Sequence, residues 1–443
     1  MIMGKGLQVS LLAVEIVMVS TGASAYELHS ADGLTINLDV RGAFGMFHSD
    51  ESYDSALGPG SVRWQEGFVR YGLSGEQRFP SATDSSLYSE LNVASYGTWG
   101  EGDAGGFTDG SERRTAFDKA YAGWRSGGLL PALGKDGIDI SVGSQKVSVG
   151  DGFIINGDGL SVGKSFGDGS RNRGGAYYLT PRNAFEQTAW LRLGGKQGLR
   201  GDLIWIKSDN EAKAKPELGV AVLEHVGDTG TLGLTYVKGL GVDDKLANPF
   251  SVQRDGLEVT SLRGQGNVGV KDLFLSFEYA RQDKQLGDES AWYVEGGWTF
   301  SDVAWQPRVG YRYTRYSENY DPLFSGFSRG YGTWFQGEVA GNYSGPFQSN
   351  AGIHMLSLGL TPGPDVVMGV LYFDFDTLAP LNPRTGDLSG KEVDVYMDWT
   401  VGYFTISPLV GLYRPEKNAA EGGSQQGSDD LNLYSQLVVS FGF

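Results

Sequence analysis

The chain has 443 residues, 68 of them Gly, no Cys, 12% aromatic residues and a formal net charge of -17. Absence of Cys removes disulfide scaffolds and thiolate metal sites, and the acidic balance argues against nucleic acid as a partner. A chain this long ordinarily divides into two or three soluble domains, yet no Pro- or Ser-rich linker interrupts it, and alternation of apolar and polar residues runs from end to end.

At the N-terminus, Lys5 supplies a short positive region, Leu7 to Val19 an apolar run interrupted by Glu15, and Ala23-Ser24-Ala25 a small-x-small cleavage site. Residues 1–25 therefore read as a signal peptide, with 26–443 as a single mature domain. No later stretch approaches the roughly 18 uncharged apolar residues of a transmembrane helix. A membrane location then requires a closed barrel, the other structure that satisfies its backbone groups in lipid.

Segments of about ten alternating residues bounded by turn formers are the signature of such a barrel. They fall at 34–44, 66–79, 86–97, 116–126, 137–147, 187–195, 200–208, 217–226 and 230–239. The second half adds 256–266, 271–282, 289–300, 303–316, 348–361, 365–376, 391–400, 402–413 and 431–443. The fold class is thus all-β: a transmembrane antiparallel β-barrel of about 18 strands, with short periplasmic turns and long extracellular loops that alternate. Predicted turns include Gly227-Asp228-Thr229, Asn267 to Val270, Ser301-Asp302, Pro362-Gly363-Pro364 and the link near Val401. Predicted outer loops include 45–65, 98–115, 148–186, 240–255, 317–347, 377–390 and 414–430. Stretches 174–180 and 331–344 stay in loops, because a strand at either would put a long loop on the periplasmic side. In 271–282, Leu275 and Phe277 are expected to face lipid and Glu278 the lumen.

The last segment, Leu431 to Phe443, places Leu431, Leu433, Leu437, Val439, Phe441 and Phe443 on one face and Asn432, Tyr434, Gln436, Ser440 and Gly442 on the other. A strand ending on an aromatic residue is similar to the C-terminal signal by which bacterial outer-membrane barrels engage the barrel assembly machinery. Trp292, Trp298, Phe300, Trp305, Tyr311, Tyr313, Phe373 and Phe375 are expected on outward faces, as girdles at the interfaces with outer-membrane lipid.

Catalytic chemistry has no visible cluster. His29, His48, His225 and His354 form no triad or metal-spaced arrangement. The stretches Gly100 to Gly106 and Gly157-Asp158-Gly159 carry carboxylates that calcium would accept, but without fixed ligand spacing, so they read as flexible solvated loops and no cofactor is assigned. The lumen remains. Alternation turns Arg70, Arg78, Lys119, Tyr121, Arg125, Trp190, Arg192, Gln306, Arg308 and Arg312 inward, with the acids Glu90, Glu258, Glu295, Glu392, Asp394 and Asp398 on the same wall. Guanidinium groups suit carboxylate recognition, and the acids are their potential partners.

Four segments carry a family resemblance: FDKAYAGWRSG (Phe117 to Gly127), ISVGSQKVSVGDGFIIN (Ile140 to Asn156), FEQTAWL (Phe185 to Leu191) and the long stretch from Tyr311 to Tyr343. Together they resemble the alginate-export type of outer-membrane barrel. That resemblance implies a monomeric 18-stranded barrel passing an anionic uronate polymer through an Arg/Lys-lined constriction gated by loops. On it, Lys119, Arg125, Arg308 and Arg312 line the polymer path and Arg315, on the opposite face, marks its outer rim; Arg70, Arg78 and Arg192 join them by facing. The expected function is an outer-membrane channel for an anionic polysaccharide or small anionic solute, not an enzyme. A general diffusion porin, or a structural or adhesive barrel binding a partner through its outer loops, are the alternatives.

Overall fold

The structure, a computed structural model, describes residues 25–80, 83–330, 335–382 and 384–443. Residues 1–24 of the expected signal peptide, and 331–334 of the stretch placed in a loop, lie outside the described residues. The strands are β1 (Tyr26–Ala31), β2 (Leu34–Ser49), β3 (Val62–Arg78), β4 (Ser86–Gly100), β5 (Arg113–Arg125), β6 (Ile138–Gln145), β7 (Phe185–Leu193), β8 (Gly198–Lys207), β9 (Glu217–Gly227) and β10 (Gly230–Gly241). They continue as β11 (Glu258–Gly266), β12 (Leu273–Asp283), β13 (Glu289–Thr299), β14 (Arg308–Tyr316), β15 (Ala351–Gly363), β16 (Val366–Thr377), β17 (Gly390–Val401), β18 (Phe404–Pro415) and β19 (Asn432–Gly442).

Strands β2 to β19 each pair antiparallel with their chain neighbours, and β19 returns to β2 from Tyr434↔Ser49 to Gly442↔Arg41, closing an 18-stranded barrel. Phe443 seals the seam. Its carbonyl accepts from the Val40 N–H at 2.8 Å and its own N–H donates to the Val40 carbonyl at 2.9 Å. Closure leaves no ladder edge in lipid, which is what allows a sheet to span a bilayer. All 18 predicted segments correspond to strands of this ring. Boundaries are corrected at several ends: β2 runs on to Ser49 and β3 begins at Val62, inside the predicted loop 45–65, and the segment placed at 303–316 becomes a strand only at Arg308, because Trp305 and Gln306 turn the chain with φ of 65° and 43°. Strand β1, not foreseen, pairs with the turn end of β2. Asp32 and Gly33 between them take φ of 51° and 78°, the two positive values that a tight Asp-Gly hairpin needs.

Turns and loops alternate as predicted. Links such as 228–229, 364–365 and 402–403 close one end, while 146–184 and 317–350 are the longest connections at the other. On β12, Leu275 and Phe277 face outward and Glu278 is buried inside. The exposed apolar set continues around the ring through Leu203, Leu223, Leu234, Leu356 and Val395, with Trp298, Phe300, Trp305 and Tyr311 among its aromatics. This belt faces hydrocarbon, and the chain is a β-barrel of the bacterial outer membrane. Phe277→Arg is expected to cost about 2 to 4 kcal/mol near the midplane. Urea titration of the refolded barrel in vesicles measures it; no loss would show that Phe277 does not meet lipid.

Phe373 and Phe375 depart from the girdle expectation. Both are buried on the inner face of β16, and Phe335 packs edge-on against Phe373 at 5.5 Å between ring centroids. The cause is tertiary: the connection 317–350 folds into the barrel and needs an apolar wall to pack against.

Candidate functional site

Inward side chains of the strands, together with the two inserted loops, form the lumen. The connection 146–184 enters through Asp151, whose carboxylate accepts from Tyr293 Oη at 3.0 Å, Ser276 Oγ at 3.2 Å and Gln265 Nε2 at 3.1 Å on three wall strands. The connection 317–350 enters from the other side. Glu392 on β17 accepts from the Val339 and Ala340 N–H groups at 2.7 and 2.9 Å. The loops meet where the Asn156 N–H donates to the Phe324 carbonyl at 2.8 Å. Arg329 joins all three bodies. It grips Glu295 of β13 through two nitrogens at 3.0 and 2.7 Å, reaches Asp151 at 3.0 Å, and lies 4.8 Å from the Phe274 ring centroid and 4.9 Å from that of Phe327.

Most predicted path cations are found inward but paired. Lys119 lies 3.0 Å from Glu90, Arg70 3.2 Å from Asp118, and Arg192 3.0 Å from Asp139. Arg125 reaches Glu76 at 3.6 Å and Asp139 at 3.5 Å, while Arg78 is largely exposed at the turn end beside Glu76. Arg125 also stacks on Tyr88 at 4.0 Å and Arg192 on Trp190 at 3.7 Å. Each of these five cations therefore has a carboxylate beside it, whereas the inward acids Glu392, Asp394 and Asp398 are held by backbone N–H groups and the Ser407 hydroxyl.

Three assignments are corrected, those of Arg312, Glu258 and Gln306. Arg312 is inside but buried: its guanidinium donates to the Phe335 carbonyl and lies 4.8 Å from the Phe327 ring centroid, so it holds a loop and lines no opening. Arg315 faces outward, across from Trp292 on β13, as alternation placed it, and stands one residue from the outer end of β14. Glu258, expected inward, is outward, paired with Lys238 at 2.8 Å, because Val259, Ser261 and Arg263 take the inner face of β11. Gln306, in the turn before β14, is not a wall residue. The glycine-rich stretches are also more ordered than expected. Asp103 is buried, accepting from the Gly105 and Phe107 N–H groups at 3.0 and 3.2 Å, and Asp158 is buried beside Arg173 and Ser208. Local backbone donors and inserted loops supply what solvent was expected to supply.

Three inward strand arginines have no carboxylate partner among the described residues: Arg41, Arg308 and Arg114, the last on β5, standing across from Tyr96 and donating to the Asn172 carbonyl at 3.1 Å. Arg41 on β2, missed although it falls on the polar face of the 34–44 segment, is exposed to the lumen and stands directly across from Arg70. Like charges facing each other across a ladder repel, and Asp118 relieves Arg70 alone. Arg308 is half-buried on β14. Its register row runs through Gly359 and Gly369 to Tyr396, and the row depends on those glycines: a Cβ at Gly369 would approach the Tyr396 hydroxyl to 2.7 Å.

Between residues 148–151 and the wall of β7–β13 lies a cavity of about 470 Å³. Its polar lining pairs Arg200 with Glu224 at 2.6 Å, Arg263 with the same carboxylate, and the Trp190 indole N–H with Asp202 at 3.1 Å.

Loop 317–350 also carries an acid deep in this packing. Glu338 is fully buried near Glu392 and Tyr178, and burial pushes its carboxyl up to about 8, with the Tyr178 hydroxyl opposing and Glu392 adding to the rise. The seated form holds a proton that a released loop would lose near 4.5. Stability of the seat is therefore full below 4.5, falls as pH rises from there, and is lost above about 8. Channel current through reconstituted protein should accordingly rise as pH passes about 8, and Glu338→Gln should flatten that response. An equal rise in the variant would assign it to another group.

No protein-family model matches the chain, and no curated protein matches it. Among solved structures it is similar to Pseudomonas aeruginosa OpdQ, at 11% identity with a TM-score of 0.59, over 92% of this chain and 98% of that one. It is also similar to a BenF-like porin from Pseudomonas fluorescens Pf-5, at 10% identity and a TM-score of 0.58 over the same shares. Acinetobacter baumannii OccAB4 aligns at 11% identity with a TM-score of 0.55, again over 92% and 98%. The fold is that of outer-membrane porin barrels. At such identities the likeness is one of backbone, and it carries no side chain of the lumen from one protein to another.

Proposed function

We propose that the protein is a passive outer-membrane porin for small anionic solutes, sugar acids among them. The observation that carries this reading is the lumen itself: two loops narrow it, its paired charges cancel, and Arg41, Arg308 and Arg114 are cations without carboxylate partners among the described residues. Field lines from such groups concentrate in a low-dielectric pore and raise the local anion concentration, while weak separated sites let each ion leave again. The porin among the solved structures supports a channel. The segments resembling alginate exporters support an anionic cargo, but a uronate polymer would first have to displace both loops. A general diffusion porin is the second reading, favoured by the ion pairs at Lys119, Arg125 and Arg192.

Uptake into proteoliposomes distinguishes these. Glucuronate is expected to enter faster than methyl glucoside of similar size, and a long uronate oligomer to stay outside. Equal rates for the two monosaccharides would leave the general porin, and entry of neither would end the channel reading.

A further inference from the structure

The outer surface is not uniformly convex. Across strands β18, β19, β2, β3, β4 and β5, the outward register row Phe404↔Phe441↔Gly42↔Val69↔Ser95↔Thr115 runs perpendicular to the chain direction. The row above it passes through Phe44, Gly67, Gly97 and Arg113. Gly67, Val69, Ser95 and Thr115, between the rings of Phe44, Trp99, Phe404 and Phe441, line a furrow of about 720 Å³ open to the outside, the Phe441 ring lying over Gly42 and the Arg113 side chain over Gly97. Five spacings of about 4.8 Å make the row about 24 Å long. Because barrel strands tilt by roughly 35–45°, it climbs from Phe404, just after the turn at 402–403, to the loop end of β5. At that upper end is Arg113. Its guanidinium stacks 4.1 Å from the Trp99 ring centroid and donates to the Thr98 and Glu112 carbonyls, and no carboxylate among the described residues pairs with it.

An apolar furrow long enough for an extended acyl chain, ending in an unneutralised cation at the height of the outer headgroups, has the chemistry of an anionic lipid. We propose that this furrow binds a phosphate-bearing lipid of the outer leaflet, one acyl chain lying along Val69, Phe44 and Phe441 and the phosphate on Arg113. Charge decides the headgroup: a phosphate offers the acceptor oxygens that a guanidinium pairs with. Length and apolarity decide the tail. A second copy of the chain is the competing occupant, but it would have to bring its own anion to Arg113 across a lipid-facing surface.

Native mass spectrometry of the full chain in detergent, with dioleoyl phosphatidate and dioleoylglycerol as probes, tests the assignment. Phosphatidate should be retained about tenfold better than dioleoylglycerol, the worth of one charge-assisted contact. Arg113→Gln, a surface change, should bring the two lipids level. Gly67→Leu should lose both, since even a Cβ there would come within 3.1 Å of Phe44 and 3.3 Å of Trp99; heat-dependent gel mobility reports whether that barrel has folded, and Arg113→Gln decides if it has not. Phosphatidate retained equally by wild type and Arg113→Gln overturns the proposal. So does a folded Gly67→Leu that keeps its lipid while an oligomer falls to monomers, which would make the furrow a contact between copies.

Discussion

Arg329→Ala is expected to raise the single-channel conductance of the reconstituted protein severalfold and to expose 146–184 and 317–350 to protease, while the barrel stays folded. One guanidinium holds two loops and the wall through Glu295 and Asp151, between the rings of Phe274 and Phe327. Removing it leaves two carboxylates facing each other in a poorly solvated site, and breaking a buried pair in this way costs about 3 to 5 kcal/mol. The strand ladders do not share that cost, so it falls on the seating of the loops. Arg329→Lys should recover part of the wild-type behaviour, because an ammonium restores charge but cannot grip Glu295 with two parallel bonds. Conductance unchanged in a folded Arg329→Ala protein would mean that the inserted loops do not set the width of the path.

Arg41→Glu combined with Arg308→Glu should abolish block of the current by glucuronate. These two positions, on strands far apart around the ring, carry two of the wall cations that have no carboxylate partner among the described residues, and reversing both changes the formal lumen charge by four. A pairing of Arg308 with Arg312 would be the choice from strand alternation alone, since the two share a face four residues apart. Arg312 is unsuitable: it is buried against Phe327 and the Phe335 carbonyl, so its replacement would disturb packing before it changed selectivity. A folded double variant that still binds glucuronate would move the anion site elsewhere, the cavity beside Arg192 and Arg200 being the next place to look.

The barrel was legible because its physics is local. Alternation along β12 placed Leu275, Phe277 and Glu278 on their correct sides, and alternating connection lengths kept 174–180 out of the ring. What alternation reports, however, is a face, not its occupant. Phe373 and Phe375 read as lipid-facing aromatics until a loop from the same chain turned out to cover them from inside. The inward direction of Lys119, Arg125 and Arg192 was legible for the same reason, whereas their partnering by Glu90 and Asp139 depends on cross-strand register. Arg41 is legible on the polar face of the 34–44 segment, but its place opposite Arg70 comes from cross-strand register. Asp151, Arg329 and Glu338 had no such signal. They lie in connections without periodicity, and their roles come from contacts more than a hundred residues away for Asp151 with Tyr293, and with Arg329.

The reversal potential of a single channel in a planar bilayer, under a salt gradient of KCl, tests the central claim most directly. An outer-membrane porin guided by Arg41 and Arg308 should conduct at zero applied voltage and reverse on the side set by chloride, with the double glutamate variant reversing on the side set by potassium. Cation preference in the wild type, or one reversal potential shared by both folded proteins, would contradict the account.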